Sequence, residues 1–375
     1  KMIHWLLRLF MHLKHKDDTL ATEVIYASKA FLTLQMCQLI QQEGLSLDVV
    51  SGGELYTAVK AKFPMEKIYF HGNNKSTEEL QMALHYNIGH IVIDHQDEFK
   101  ELCQLLKPQD KVHVLLRINP GIEAHTHEYI KTTKNDSKFG LSIFSEDTLD
   151  LIQEINQHPQ MTFKGFHSHI GSQIFEEKPF LEHATAVLNY IKHVYEKTHI
   201  KTSMMNLGGG FGVTYTSEDQ PINIEVFLPK LNQHIKEVSN RLEITTPKVL
   251  IEPGRAIVAE AGYTLYTINS TKQTFGGKDY VFVDGSMADH MRTALYQAKY
   301  HAFLGDRMQE TPVKTYTVAG KACESGDVII KEIKLPVPNH QDILVVKTTG
   351  AYHYSMSSNY NRLLKPAVVF VKDGQ

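Results

Sequence analysis

Eight short apolar runs, each followed by a segment with helical spacing, constrain the fold of this chain more than any other feature. The runs are rich in β-branched and aromatic residues, which are typical of buried strands. They occupy residues 24–28, 47–51, 68–72, 90–94, 112–119, 163–170, 204–210 and 249–254. Because strands alternate with helices and there are eight of them, we predict a closed, TIM-like (β/α)8 barrel rather than an open sheet.

The pattern changes after about residue 255. Strand-like runs separated by turn residues occupy residues 262–271, 280–284, 313–318, 327–335, 342–348 and 367–372. We therefore predict a barrel domain over residues 1–255 and an all-β domain, a sandwich or barrel, over residues 256–375. A helical interruption at residues 289–301 would place Arg292 and Tyr296 on one face.

Composition excludes several classes of partner. The net charge of −3 and the scattered basic residues give no electrostatic basis for nucleic-acid binding. The cysteines, Cys37, Cys103 and Cys323, are widely spaced and form no disulfide framework, which indicates a reducing compartment, the cytoplasm. No stretch of the sequence is long and apolar enough to predict a membrane span.

Two segments are predicted outside this framework. Residues 3–13 are predicted to form an amphipathic helix, because His4, Arg8 and His12 recur as one polar stripe. Residues 123–136 are too polar for a core, and we interpret them as a loop inserted over one face of the barrel. Since the chain begins at Lys1 without an initiator methionine, we expect the sequence to be incomplete at its start.

Polar residues collect at the carboxyl ends of the predicted barrel strands, where the active sites of such barrels are built. They are Lys29, Asp94 and residues 51–54, 71–74, 117–119, 167–172, 208–210 and 252–255. Lys29 lies where the first apolar run meets a helical segment, which would place an amine at a strand tip. On its own, such a lysine is more often a solvated residue at the start of a helix.

A glycine-rich segment, residues 206–212, follows the seventh predicted strand. Consecutive glycines allow backbone N–H groups to approach an anion closely, and this position in a barrel commonly binds phosphate. A flexible turn is the alternative, and it would be the better interpretation of an isolated glycine triplet. Ser172 and Arg255 could donate further hydrogen bonds to the same phosphate.

Glu252 ends the eighth predicted strand, where a buried carboxylate needs a partner. A protonated heterocyclic nitrogen and a salt bridge to Arg255 or another barrel residue are equally good candidates. His167 and His169 are two residues apart and are predicted to lie on one face of the sixth strand. We predict no metal site, because His71, His125 and His127 match no zinc spacing. A lysine, a phosphate cradle, a ring-nitrogen partner and an imidazole together are what a pyridoxal phosphate site requires.

Several motifs occur in order along essentially the whole chain. They are Tyr-Ala-Ser-Lys-Ala at 26–30, His-Gly-Asn-Asn-Lys at 71–75, Asp-Ser-Lys-Phe-Gly at 136–140, His-Ser-His-Ile-Gly-Ser-Gln at 167–173, Leu-Gly-Gly-Gly-Phe-Gly at 207–212, Glu-Pro-Gly-Arg at 252–255, Cys-Glu-Ser-Gly-Asp at 323–327 and Gly-Ala-Tyr at 350–352. With these motifs the chain resembles the bacterial diaminopimelate decarboxylases, which belong to the alanine-racemase-like pyridoxal phosphate enzymes. The resemblance implies a barrel followed by a β-sandwich.

The resemblance also implies roles for individual residues. Lys29 would bind the cofactor as a Schiff base, His169 would pack on its ring, and Glu252 would pair with the pyridine nitrogen. The cofactor's phosphate would be held by Ser172, Gly208, Gly209, Gly210, Glu252, Gly254, Arg255 and Tyr352.

Substrate residues are implied in the same way. Arg255, Arg292 and Tyr296, with Tyr352 beside them, would bind the distal carboxylate of the substrate, and Glu324 its distal amine. Cys323 matches the proton donor of the family, and in these homodimers the Cys-Glu pair enters the active site of the partner subunit. Family members usually begin with a further strand that belongs to the β-sandwich, and this sequence lacks it.

The activity implied by the resemblance is decarboxylation of meso-2,6-diaminopimelate to L-lysine and CO2, the last step of lysine biosynthesis. A decarboxylase of ornithine, arginine or another polyamine precursor is the first alternative, since it shares the cofactor motifs. A substrate with a second amino-carboxylate centre needs cations at its distal end, and Arg255 with Arg292 could supply them. The second alternative is a non-catalytic, cofactor-binding regulatory homologue, whose expected mark is the loss of Lys29 or Cys323.

Overall fold

The structure, a computed structural model, describes residues 3, 22–122 and 137–372, which group into two compact units. One unit contains the described residues within His4–Gly212 and Pro221–Gly254. The other contains Ile3, Val213–Gln220 and the described residues from Arg255 onward. Except for Ile3, the predicted helix at 3–13 and the predicted loop at 123–136 lie outside the described residues.

The first unit is a closed barrel of eight parallel strands, which confirms the predicted fold. Strand β1 pairs with both β2 and β9, and β4 pairs with β5, so the sheet has no free edge. The short β6 adds to β5 outside this ring. The strands are β1 (Thr22–Ala27), β2 (Ser46–Val49), β3 (Ile68–Phe70), β4 (His90–Ile93), β5 (Val112–Asn119), β6 (Leu141–Ser142), β7 (Met161–His167), β8 (Met204–Asn206) and β9 (Lys248–Ile251).

Helices connect the strands and begin at residues suited to capping. The Ser51 hydroxyl accepts the N–H of Glu54, and Ser76 forms a reciprocal capping box with Glu79. These caps satisfy N–H groups that have no partner within the helix. The helices are α1 (Leu34–Gln42), α2 (Gly52–Lys60), α3 (Thr77–His85), α4 (Gln96–Leu105), α5 (Glu146–Gln157), α6 (Glu177–Thr198) and α7 (Ile224–Arg241).

The second unit is built on a six-stranded sheet with the strand order β12-β15-β10-β11-β13-β14. Its pairings are antiparallel except for β11 with β13, so the predicted β domain is confirmed. The described elements of this unit are α8 (Arg255–Val258), β10 (Tyr263–Gln273), β11 (Asp279–Val283), α9 (Arg292–Tyr296), β12 (Ala302–Leu304), β13 (Lys314–Ala319), β14 (Val328–Leu335) and β15 (Ile343–Lys347).

Two details of the second unit differ from the prediction. The predicted strand at residues 367–372 is wrong: the segment pairs with no strand, and Val369 and Val371 are 79% and 67% exposed. Strand-like composition forms a strand only where a neighbour completes the hydrogen-bond ladder. The predicted helix at 289–301 is shorter, and β12 follows it. Strand β12 was not predicted, because its three residues are too few to show the alternating pattern by which a strand is recognised.

Among the described residues, no helix combines the length and the apolar character that a bilayer crossing would require.

The amino-terminal ends of the barrel strands carry a buried polar cluster. Glu23 accepts hydrogen bonds from Ser46 and Lys248 on the neighbouring strands. His90 stacks on Tyr69 with the ring centroids 4.3 Å apart, and neither ring nitrogen of His90 has a hydrogen-bond partner among the described residues. Burial lowers the pKa of His90 from 6.5 to about 4, so its imidazole stays neutral in the folded protein.

This buried imidazole predicts a pH dependence of stability. Between pH 6.5 and about 4 the unfolded chain takes up a proton that folded His90 refuses, so stability is full above this window and falls as the pH falls through it. We expect His90→Phe, which retains a stacking ring, to reduce the loss of unfolding free energy between pH 7 and pH 5 by about 2 kcal/mol. Urea unfolding followed by circular dichroism at both pH values measures this.

The matched control is His85→Phe, at an exposed position on α3. It should retain the pH dependence of the unsubstituted protein. An unchanged pH dependence in His90→Phe would contradict the assignment.

Candidate functional site

Four strand ends of the barrel converge on Glu252, which directly follows β9 and is 8% exposed. Oε1 lies 2.8 Å from Nε2 of His71, which follows β3, and accepts a hydrogen bond of 2.6 Å from Nδ2 of Asn206, the last residue of β8. Oε2 lies 3.2 Å from Nε2 of His167, the last residue of β7. Burial alone would raise the pKa of Glu252, but His71 and His167 hold it well below its usual range. Glu252 is therefore an anion.

His167 and His169, both predicted on the sixth barrel strand, lie in different secondary-structure elements. Strand β7 ends at His167, so His169 lies in the following loop and not on the strand as predicted. Nδ1 of His169 accepts the N–H of Gly209 at 3.3 Å, which leaves the proton of a neutral ring on Nε2. Burial, with the charges of Lys29 and Arg117, lowers the pKa of His169 well below its ordinary value. A neutral, anchored imidazole results.

The glycines after β8 pack directly against the loop after β9. A Cβ on Gly209 would overlap the backbone carbonyl of Glu252, so only glycine fits at this position. The N–H of Gly208 is donated to Oδ1 of Asn206, whose Nδ2 bonds Glu252. The N–H of Gly210 has no hydrogen-bond partner among the described residues and is available to an anion. Fewer glycine N–H groups are available to an anion than the sequence suggested, because Gly208 and Gly209 donate theirs to Asn206 and His169.

Ser172 lies in the loop after β7, which is joined to the glycine loop by backbone hydrogen bonds. Ile174 donates its N–H to the carbonyl of Gly210 at 2.9 Å, and Gly212 donates its N–H to the carbonyl of Ile174 at 3.2 Å. The loop that carries Ser172 therefore lies beside the glycine loop, and the common phosphate site stays a prediction.

Lys29 lies in a 3-10 turn, Ser28–Ala30, before α1 begins, and its side chain is exposed. Oδ1 of Asp48 accepts the N–H of Ser28 at 2.8 Å and so fixes this turn. A Cβ on Gly254 would come within 2.8 Å of the Cβ of Ala27, which shows how closely the loop after β9 approaches the Lys29 turn. Burial and the neighbouring Glu252 carboxylate raise the pKa of Asp48 to about 7.

Arg117 is a residue of the barrel mouth for which the sequence suggested no role. Its guanidinium lies 4.3 Å from the centre of the Phe139 ring, and Nε lies 3.9 Å from Oδ2 of Asp94. Burial lowers its pKa below the ordinary arginine value. The position of Arg117 at the end of β5 was the only signal in the sequence, and its partners come from distant parts of the chain.

In the second unit, the residues expected to bind the substrate lie together. The guanidinium carbons of Arg255 and Arg292 lie 4.8 and 5.6 Å from the centre of the Tyr352 ring. Arg292 also lies 5.0 Å from the centre of the Tyr296 ring and donates from Nε to the hydroxyl of Tyr300 at 3.0 Å. The predicted shared face of Arg292 and Tyr296 is therefore present.

Two further tyrosines of this cluster were missed in the sequence. Arg255 donates to the hydroxyl of Tyr215 at 2.5 Å, and the rings of Tyr215 and Tyr300 meet edge to face. Burial alone would lower the pKa of Arg255, but the hydroxyls of Tyr215 and Tyr352 raise it above its ordinary value. Tyr215 lies just after the glycine motif and Tyr300 within the predicted helical segment at 289–301, but no spacing rule links either residue to Arg255 or Arg292, so only the fold identifies them.

Cys323 and Glu324 occupy the exposed turn between β13 and β14. The N–H of Cys323 is donated to Oδ1 of Asn361, and Oε1 of Glu324 accepts from Ser325. Within the described residues, neither forms a hydrogen bond to Arg292, Tyr296 or Tyr352. The structure of one chain does not bring this pair to the tyrosine cluster.

The barrel-mouth residues fit pyridoxal phosphate. Lys29 supplies an exposed amine, His169 a neutral imidazole, and Glu252 a buried anion at a strand end. The ligand atoms of His71, His167 and Glu252 also lie within 4.8 Å of one another, as in metal sites. The contacts of His71 and His167 with Glu252 account for this grouping, and the absence of a metal stays a prediction.

Comparison with known proteins identifies similar chains. A family model described as the pyridoxal binding domain of pyridoxal-dependent decarboxylases matches residues 8–259. The diaminopimelate decarboxylase of Bacillus subtilis is 48% identical over 95% of this chain and 81% of its own length, and that of Staphylococcus aureus is 47% identical over 97% and 85%. The crystal structure of diaminopimelate decarboxylase from Helicobacter pylori complexed with L-lysine superimposes with a TM-score of 0.84 at 30% identity, covering 96% of this chain and 87% of that one.

The close approach of the glycine loop to Glu252 predicts a selective sensitivity to substitution. We expect Gly209→Ala to lower the free energy of unfolding by roughly 2 kcal/mol or more, because the new Cβ would overlap backbone atoms that cannot move independently. Gly276→Ala is the matched control, since a Cβ there would meet no atom within 4 Å. Urea denaturation measures both, and equal stabilities of the two variants would contradict the packing described.

Proposed function

Since this chain belongs to the family of pyridoxal-dependent decarboxylases, we propose that it is a carboxy-lyase that converts meso-2,6-diaminopimelate to L-lysine and CO2, the last step of lysine biosynthesis. The names of its relatives from Bacillus subtilis and Staphylococcus aureus support this substrate. Lysine bound to the Helicobacter pylori enzyme supports the product.

The lack of a carboxylate partner for Arg292 among the described residues is the observation that supports diaminopimelate as the substrate. Arg292 is 8% exposed, and no carboxylate among the described residues forms an ion pair with it. Three tyrosines surround its guanidinium and leave the positive charge without an anion, which is costly at a buried position. The distal carboxylate of diaminopimelate would supply that anion through bidentate hydrogen bonds. Ornithine has no second carboxylate, so it would leave the arginine uncompensated.

Within this proposal the barrel residues hold the cofactor. When bound, pyridoxal phosphate supplies an electron sink for the carbon that loses CO2. Lys29 provides the amine for covalent attachment, His169 offers the flat face of a neutral imidazole, and Glu252 accepts the N–H of the pyridine ring.

The anion-binding residues would hold the phosphate in this proposal. The N–H of Gly210 is available to a phosphate oxygen, and Ser172 lies in the loop that hydrogen-bonds to Gly210. We assign the phosphate to Ser172, the backbone of Gly210 and Gly254, and the side chains of Arg255 and Tyr352, whereas Gly208, Gly209 and Glu252 shape the loop through their own backbone hydrogen bonds.

The remaining residues act on the substrate. Arg255, Arg292, Tyr296 and Tyr352 bind it, with Glu324 on its distal amine, and the thiol of Cys323 donates a proton to the carbon from which CO2 has left. Cys323 is exposed in the single chain. We therefore propose a homodimer in which Cys323 and Glu324 of each chain serve the active site of the other. The three cysteines are all free, which supports a cytoplasmic location.

The proposed activity is tested with the purified protein and pyridoxal phosphate. We expect release of CO2 and L-lysine from meso-diaminopimelate, measured by chromatography of the amino acids. Lys29→Ala should abolish the product and the visible absorption of the bound cofactor, whereas Lys107→Ala, at an exposed lysine remote from the strand ends, should retain both. Release of CO2 from ornithine or arginine alone would refute the substrate assignment, and full turnover by Lys29→Ala would refute the role of that lysine.

The shared active site is tested by mixing two inactive variants, Lys29→Ala and Cys323→Ala. If chains exchange at random, half of the dimers are mixed, and each mixed dimer has one intact site. Lysine production should then recover to about one quarter of the unsubstituted level. Each variant alone is the control, and no recovery after demonstrated subunit exchange would contradict a site built from two chains.

A further inference from the structure

The Glu252 carboxylate is held by three side chains that leave it no freedom to turn. His71 and Asn206 contact Oε1, and His167 contacts Oε2 from the other side. All three are almost fully buried, at 4%, 0% and 2% exposure. Since they come from β3, β8 and β7, a rotation of Glu252 would break contacts with three separate strands.

His167 forms a hydrogen bond to Glu252, and His71 lies at ion-pair distance from the same carboxylate. Burial lowers the pKa of His167 to about 3 in spite of the nearby Glu252, so its imidazole is neutral and Nε2–H is the group that faces Oε2. His71 approaches Oε1 through the same ring nitrogen, and the two rings meet edge to face with their centroids 4.4 Å apart. Both imidazoles are held against the carboxylate, one at each oxygen.

A buried lysine fixes the loop that carries His71. Nζ of Lys75 donates to the carbonyls of Gly72 and Val92 at 2.9 and 2.8 Å and to Oε1 of Glu98 at 2.7 Å. The backbone N–H of His71 is donated to the carbonyl of Val49 at 2.8 Å. The direction of the imidazole is therefore set by the barrel and not by solvent.

The nearby carboxyl group of Asp48 makes the contacts to Glu252 important, because they decide which of the two groups is ionised. Asp48 and Glu252 are both buried, and each disfavours the charge of the other. When two neighbouring buried carboxyl groups cannot both be ionised without repulsion, the group with more donors around it keeps the negative charge. Glu252 has the two histidines and Asn206, whereas Oδ1 of Asp48 has the N–H of Ser28. The donors thus decide which carboxyl group is ionised.

We propose that His71 and His167 are positioning residues that keep Glu252 ionised and fixed in direction, so that the ring nitrogen of bound pyridoxal phosphate stays protonated. The proposal deepens the proposed function and rests on its cofactor, but not on its substrate. Without the two histidines, Glu252 is expected to retain a proton, and the ring nitrogen then loses its anionic partner.

The test uses holoenzyme loaded with pyridoxal phosphate that is 15N-enriched at the ring nitrogen, whose NMR shift reports its protonation. His71→Leu and His167→Leu remove the donors, whereas His71→Gln and His167→Gln retain a donating nitrogen near the position of Nε2. We expect the Leu variants to move the resonance towards that of the unprotonated ring and the Gln variants to leave it near that of the unsubstituted protein. The dissociation constant for the cofactor should rise about tenfold in the Leu variants. His90→Phe, at another buried barrel histidine, should change neither.

A second measurement keeps the proposal falsifiable if a Leu variant fails to bind the cofactor. In the cofactor-free protein, 13C labelling of glutamate carboxyl groups, with the Glu252 signal assigned by its loss in Glu252→Gln, follows the ionisation of Glu252 directly. The other ionisable groups that face it are Asp48, Tyr69, Arg117 and His169. The Leu variants should raise the pKa of Glu252, and the Gln variants should not.

Folded Leu variants with an unchanged ring-nitrogen shift, or with an unchanged Glu252 titration, would overturn the proposal. Neither measurement uses a substrate. A protein that shows the expected shifts yet releases no lysine from meso-diaminopimelate would refute the proposed function alone.

Discussion

The ionised carboxylate of Glu252, buried where four strands of the barrel end, is the constraint on which the rest of the site depends. A charge in this position is stable only if donors reach both oxygens, and those donors must come from several strands at once. His71, His167 and Asn206 meet that requirement, and Asn206 extends it to the glycine loop through Gly208. The electrostatics of the acid and the shape of the glycine loop are therefore parts of one hydrogen-bonded network.

The two units separate two chemical tasks. The barrel unit contains the amine, the glycine loop and the acid, which are the groups that a pyridoxal cofactor needs. The second unit contains Arg255 and Arg292, whose guanidinium groups are surrounded by tyrosine rings and hydroxyls. Tyrosine suits this role because its ring attracts a cation while its hydroxyl orients the guanidinium and adds no full negative charge. The tyrosines thus orient both guanidinium groups.

Much of the fold could be predicted from the sequence, because the barrel repeats one pattern eight times and each repeat ends in polar residues. The site was predicted less completely. Glu252 was identified as a buried acid in need of a partner, but its partners lie far away in the sequence, and spacing carries no information about contacts that the barrel closure creates. His169 was placed on a strand because it follows His167 by two residues, the period of a strand. Strand β7, however, ends at His167. The segment 367–372 shows the converse failure, since its composition favours a strand that has no neighbour to pair with.

The contact between Gly209 and the backbone of Glu252 has a consequence for cofactor choice. Both sides of this contact are main chain, so the spacing between the glycine loop and the backbone of Glu252 does not depend on any rotamer, and contacts to both carboxylate oxygens fix the side chain in turn. In the proposed cofactor site, this fixed spacing would select ligands whose anionic group reaches the glycine loop while the ring nitrogen reaches Glu252. Vitamin B6 forms that lack the phosphate, or that carry it on a longer arm, would contact the glycine loop or Glu252 but not both.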